Sequence, residues 1–266
     1  MNAVVWQSIV IGLMLAIGFS VGVFRFFTQP RPSYSILVKT HDASIPLLVV
    51  RAAAISLFLA VLILRLDLSD FFDLAYYTYW NFTLQTIYFV AAVVAQVRTW
   101  HGRPSLQANQ PLNALFDVCF ASCILVVLVY WFVLYDPTVP LLWTTCVVHG
   151  ANLVFLVVDF CLNDHLVQRI NFKFVIMWPA IYGAVTWIGN ATYLHGFWPY
   201  KLLDVSANLA PLKWLGILVG HAFGFGVALL LSAWKKRVAA AVAPSGGAGD
   251  DDTTNVHIKV VPTSLV

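Results

Sequence analysis

The sequence predicts an all-α polytopic membrane protein: a bundle of seven transmembrane helices with the N-terminus outside and the C-terminus in the cytoplasm. Three observations predict it. Windows of about twenty residues resolve seven apolar stretches long enough to cross a bilayer. The 266 residues are 61% hydrophobic and 10% charged, with no Glu. The basic residues fall almost entirely on one side of the stretches.

The stretches are residues 3–24, 47–64, 76–97, 112–135, 141–162, 174–194 and 214–234. At about 1.5 Å rise per residue even the shortest reaches roughly 27 Å, close to the hydrocarbon thickness. Chain alternation then places 12 of the 15 basic residues on the side away from the N-terminus, against Arg65, Lys201 and Lys213 on the other. Lys and Arg concentrate in cytoplasmic loops, which sets the orientation, and a wrong helix count would scramble the split.

The first stretch lacks Lys and Arg before it and is too long for the apolar region of a cleaved leader, so it is expected to stay as a span. The second carries Arg51 near its cytoplasmic end. The third opens on Tyr76 and Tyr77 and holds Asn81, Thr83 and Thr86. The fourth holds Asp117, Cys119 and Cys123; the fifth Cys146, His149, Asn152, Asp159 and Cys161; the sixth Thr186 and Asn190. The seventh bears Gly216, Gly220 and Gly224 in one line beside His221, and Gly18 and Gly22 repeat that spacing in the first. Such lines allow close backbone approach, within the molecule or in a homodimer.

Aromatic residues gather at span ends, among them Trp6, Trp100, Tyr135, Trp198 and Trp234, as amphipathic rings favour the headgroup layer. All four cysteines lie within spans, which points to packing rather than to a disulfide framework or a metal site. No cofactor motif stands out. The net charge of +3 comes from the cytoplasmic loops and gives no ground for nucleic-acid binding. The membrane domain is expected over residues 1–237. Residues 238–266, with a Pro-Ser-Gly-Gly run and Asp250 to Asp252, read as a disordered cytoplasmic tail. Its end, Ser264 and Val266 included, fits the strand-addition mode of a PDZ-type partner.

Polar residues in hydrocarbon need a reason. Counting from span ends puts Thr83, His149 and His221 all about 10 to 12 Å below the outer boundary. Asn81, Thr86, Asn152, Thr186 and Asn190 lie within about a turn of that depth, and Thr145, His149 and Asn152 fall on one helical stripe. The functional reading is a polar cavity in the outer leaflet half; the structural one is interhelical bridging or back-bonding to the same helix. A second set, Arg51, Asp117 and Asp159, sits near the cytoplasmic end. One guanidinium between two carboxylates reads as a structural ion cluster.

From residue 76 onward short motifs recur in a familiar order: Trp80-Asn81-Phe82-Thr83, Tyr130-Trp131 running to Tyr135-Asp136, His149-Gly150, and Gly196-Phe197-Trp198-Pro199-Tyr200. Over residues 76–235 the chain resembles the androgen-induced membrane hydrolases and the related rolling stone proteins. The first branch hydrolyses fatty acid esters of hydroxy fatty acids with an intramembrane threonine and histidine, which implies Thr83 and His149 as catalytic pair. The resemblance departs in two places. The family threonine follows the tryptophan by four, where this chain has Leu84 and carries its hydroxyl one residue earlier; the family H-G-x-H motif here ends in Asn152. The H-G-x-N form is similar to the rolling stone branch, associated with myoblast fusion.

Read from the residues alone, Thr83 is a candidate nucleophile, His149 or His221 its base, and Asn152 an oxyanion donor. A lipid-ester hydrolase and a non-catalytic membrane protein of fusion, trafficking or signalling both remain open, in the plasma membrane or an endomembrane, with membrane lipids as partners. A seven-span receptor or photoreceptor is disfavoured. The third stretch has no acidic-Arg-Tyr motif, the seventh no N-P-x2-Y motif, and the lysines of the seventh, Lys213 and Lys235, stand at its boundaries.

Overall fold

The computed structural model of the chain describes residues 3–29, 34–37, 44–100, 110–242 and 258–261. Seven helices are long and apolar enough to cross a membrane. They are α1 (Ala3–Thr28), α2 (Ile45–Leu68), α3 (Tyr77–Trp100), α4 (Gln110–Leu134), α5 (Trp143–Leu162), α6 (Phe172–Ala191) and α7 (Ala210–Val242). Seven spans place the α2–α3, α4–α5 and α6–α7 connections on the same side as the N-terminus. That side is here the N-terminal face, and the other the C-terminal face.

Local signals explain the helix ends. Ser44 accepts from the amide of Leu47 at the start of α2, with Pro46 in the first turn where no donor is required. At its other end α2 closes through Asp70 and Phe71, both left-handed, with the Phe71 amide bonded back to the Leu66 carbonyl at 2.8 Å. Gly196, at φ 85°, turns the chain after α6 and donates to the Asn190 carbonyl.

The centre of the bundle is α4, whose residues from Phe116 to Val126 are all buried. Around it α2, α3 and α5 pack through an aromatic cluster of Phe58, Phe82, Phe89, Phe116, Phe120 and Phe160. On the other side α1, α6 and α7 meet over Ile11, Leu15, Tyr182 and Trp214. The outward faces are apolar as well, with Leu13, Ile63, Val154, Ile188 and Leu230 exposed. A chain that meets acyl tails there needs no polar exterior.

The glycine lines serve contacts inside the molecule. A Cβ on Gly220 would stand 2.6 Å from Leu125 Cδ1, and one on Gly224 would run into the Ala121 carbonyl oxygen, so these two positions seat α7 against α4. Gly22 meets Met177 in the same way and seats α1 on α6, while Gly18 and Gly216 face open space.

Two features differ from the expected organisation. The last helix runs to Val242, past the boundary expected at 237. Within the expected tail, Ile258–Val261 pairs antiparallel with Tyr34–Leu37, Tyr34 opposite Val261, as its alternating β-branched residues favour. The rest of the tail, with Ser264 and Val266, lies outside the described residues.

Candidate functional site

A largely apolar cavity of about 80 Å³ lies between α1, α3, α4, α6 and α7 toward the N-terminal face. Its chain-side walls are Leu15, Leu125, Val126, Pro179, Trp214 and Leu218. The α6–α7 connection covers it. That loop sends Tyr200, Leu202 and Leu203 into the lining, and it is tied down by Trp214 Nε1 donating to the Leu203 carbonyl and by the Ala210 amide donating to Gln7. A second, more polar space of about 710 Å³, the vestibule, adjoins it and is lined by Arg65, Asp73, Lys201 and Lys213 among others. Thr78, Tyr130, Leu134, His149, Tyr200 and Leu202 belong to both linings and form the neck between them.

His221 is fully buried in the apolar cavity. Its Nδ1 faces the carbonyl of Ile217 at 2.8 Å, and a carbonyl only accepts, so Nδ1 carries the proton. Nε2 is then the acceptor, and the Tyr77 hydroxyl donates to it at 2.6 Å. Both ring nitrogens are occupied. The pair links α3 to α7 with no hydrogen-bonding group of the ring left over.

His149 is held differently. It lies in a π turn, Val147–Ala151, inside α5, at φ −122° and ψ 17°, a sparsely populated region that recurs in functional residues. A second π turn, Tyr130–Leu134, ends α4. The two lock together: the Tyr130 ring stacks on the imidazole at 3.7 Å between centroids and 9° between planes, and Trp131 Nε1 donates to the His149 carbonyl at 2.6 Å. That ring nitrogen takes up a backbone acceptor left irregular by the π turn. Nδ1 of His149 is buried and has no hydrogen-bond partner among the described residues.

At the neck, Tyr200 reaches the start of α3. Its oxygen accepts from the amide of Thr78 at 3.3 Å, one of the donors that a helix N-terminus leaves unpaired, and it lies 3.4 Å from the Thr78 hydroxyl. Burial pushes the Tyr200 phenol up to about 12, so it stays protonated and can donate. A threonine hydroxyl, a phenol and an imidazole thus line one constriction.

The chain matches no protein-family model, no curated protein and no solved structure.

Depth alone did not assign the candidate residues to one site. His149 and His221 do line the same cavity. Thr83 does not: it belongs to a separate groove with Trp80, Trp178 and Tyr193, in which no histidine takes part among the described residues, and its hydroxyl has no partner among them. Five residues after Thr78, at about 100° per residue, Thr83 sits roughly 140° around α3 from the neck. Asn152 lines neither cavity space. Its side chain turns back on its own helix, donating to the Val148 carbonyl and accepting from the Leu153 amide, because the π turn inserts a residue and breaks the expected stripe from Thr145. Asn81 also bonds within the bundle, donating to the Tyr77 carbonyl and accepting from Trp178.

The expected cluster of Arg51, Asp117 and Asp159 is two networks. Arg51 Nε meets Asp159 at 2.6 Å, and the other Asp159 oxygen accepts from Tyr88 at 2.6 Å and Asn163 at 2.9 Å. Arg51 Nη1 donates to Gln96 and to the Ala92 carbonyl, not to Asp117. Asp117 pairs with His165 at 2.7 Å and accepts from the Gln168 amide and from Asn171. Similar depth on different helices does not imply facing sides. Lys235, expected at a boundary, is buried and donates to the Phe160, Asn163 and His165 carbonyls, which caps the end of α5.

Sequence reasoning missed Tyr77, Thr78, Tyr130 and Tyr200. Tyr77 reads as an interfacial aromatic, and Tyr130 and Tyr200 enter only through the motifs that carry the resemblance.

Proposed function

We propose that the protein takes fatty-acyl amphiphiles into the cavity from within the membrane and cleaves an ester held at the neck. The observation that carries this reading is the position of Thr78, Tyr200 and His149 where an apolar chamber meets a polar vestibule. An amphiphile seated across that boundary puts its ester beside all three. The resemblance over residues 76–235 supports the same class of reaction but not Thr78, which stands two residues before Trp80 rather than four after it; Thr78 rests on the geometry of the neck alone.

The steps balance without a cofactor. The Thr78 oxygen attacks the acyl carbonyl while its proton passes to the His149 imidazole. The Tyr200 phenol donates to the oxyanion, and the α3 N-terminus lies beside it with its positive dipole end. The imidazolium returns the proton to the departing alkoxide. Water then repeats the sequence on the acyl-threonine, with His149 again as base, and releases the acid and the free hydroxyl.

The test is ester cleavage by the purified full chain on linear and branched fatty esters. Thr78→Ala and His149→Ala each lower the rate by roughly three orders of magnitude or more, and the double variant is little worse than either, since the pair acts as a unit. Thr83→Ala stays near wild type. Cleavage by Thr78→Ala at the wild-type rate defeats the assignment. A wild-type protein that binds these lipids and cleaves none leaves the non-catalytic reading, that of the rolling stone branch.

A further inference from the structure

The three basic residues on the N-terminal face, Arg65, Lys201 and Lys213, all line one vestibule. Lys and Arg otherwise concentrate at the opposite face of this chain, so cations here run against its own charge distribution. Lys213 bears a second cost, since it stands in the first turn of α7, where the helix dipole disfavours a positive charge. Ion pairing offsets the cost for Arg65 alone. Arg65 is matched by Asp73 at 3.0 Å and bonded to the Tyr79 hydroxyl, whereas Lys201 and Lys213 form no ion pair among the described residues. The vestibule therefore carries three cations against the single carboxylate of Asp73.

An excess of positive charge at the mouth of an apolar chamber has a matching ligand. We infer that the vestibule is an anion-binding mouth: Lys201 and Lys213 hold the carboxylate or phosphate of a single-chain amphiphile whose apolar part passes the neck into the cavity between α4, α6 and α7. This rests on the cavity being a lipid site, as proposed above, and adds the charge and orientation of the ligand. The anionic head stays on the N-terminal face, Arg65 remains with Asp73, and the chain points toward His221. Reach follows from side-chain type. Two flexible ammonium groups at a half-open rim accept either anion without the fixed fork geometry that would select one.

The experiment is equilibrium binding of labelled hexadecanoate to the purified full chain in nanodiscs of zwitterionic lipid, with hexadecanol and hexadecyl phosphate as competitors. All three carry the same chain. Hexadecanoate or hexadecyl phosphate binds roughly tenfold more tightly than hexadecanol, as two partly solvated cations can supply; the stronger of the two identifies the head group. The variant Lys201→Gln with Lys213→Gln loses that preference and keeps its affinity for hexadecanol. Added salt weakens the anions alone, because charges at an open rim are screened.

Equal binding of hexadecanol and both anions by wild type overturns the inference, and so does an anion preference that survives in the double variant. Absence of binding by all three compounds overturns the lipid site with it. Ester cleavage is read separately: a protein that shows the lysine-dependent preference and cleaves no ester upholds the anion mouth while the hydrolase reading falls.

Discussion

Adding one methyl group at successive glycines of α7 gives a graded test of the helix packing. At Gly216 a Cβ meets nothing within 4 Å; at Gly220 it meets Leu125 Cδ1 at 2.6 Å; at Gly224 it meets the backbone carbonyl of Ala121. The obstacles differ in how far they can yield. Leu125 is the free end of a side chain and can change rotamer into the adjoining cavity that it lines. The Ala121 carbonyl belongs to the buried centre of α4 and moves only if two helices separate. Overpacking of a filled core costs about 1–3 kcal/mol, and the rigid contact belongs at or above the upper end of that range. Gly216→Ala therefore leaves stability unchanged or slightly improved, Gly220→Ala costs about 1 kcal/mol, and Gly224→Ala costs about 3 kcal/mol. In a chain of this size the last figure corresponds to a melting shift of about 6–12 °C. Thermal unfolding of the purified variants in one detergent measures the series. If Gly224→Ala melts with wild type, or Gly216→Ala is the worst of the three, the close approach of α4 and α7 is refuted.

Three further outcomes are expected. Asp159→Asn leaves Arg51 as an uncompensated buried charge and costs about 3–5 kcal/mol, while Arg51→Met combined with Asp159→Asn recovers part of the loss; unfolding of both variants checks it, and no recovery contradicts the pairing. Tyr77→Phe removes the hydroxyl bonded to His221 Nε2 in an apolar cavity and costs about 1–3 kcal/mol, whereas Thr83→Val, at a hydroxyl with no partner among the described residues, costs little; reversal of that order contradicts the Tyr77–His221 bond. With N-terminus out, a single Cys introduced at Ala248 after removal of the native thiols is protected from an impermeant reagent on intact cells, and labelling from outside overturns the orientation.

The spans were legible because crossing a bilayer imposes a length and an apolarity that no loop here mimics. Depth was legible too, since residues count off along a helix: His149 and His221 do share a cavity. Azimuth was not. A side chain's direction around its helix depends on which neighbours pack against it, and an all-apolar span has little amphipathic contrast to reveal them. That is why Thr83 lies in a separate groove from His149 and why Asp117 found His165, a residue in a connecting segment, rather than Arg51. The π turns were the other hidden element. Gly150 is the one weak helix former in the two segments, and a lone glycine is common in membrane spans; the irregularity is held by a ring stack and an indole donor that exist only once α4 and α5 meet.

Each π turn is an ordinary helix carrying one surplus residue. Removing one residue between 147 and 151 restores regular winding and leaves the two halves of α5 close to their present facing, since the wide turn already absorbs the extra residue. What is lost is the bulge that carries the His149 ring onto Tyr130, while Asp159 keeps Arg51. The contacts of His149 thus depend on a residue that the rest of α5 does not need. A single-residue deletion there removes the ring stack whichever residue goes. In this segment chain length specifies the site as much as residue identity does.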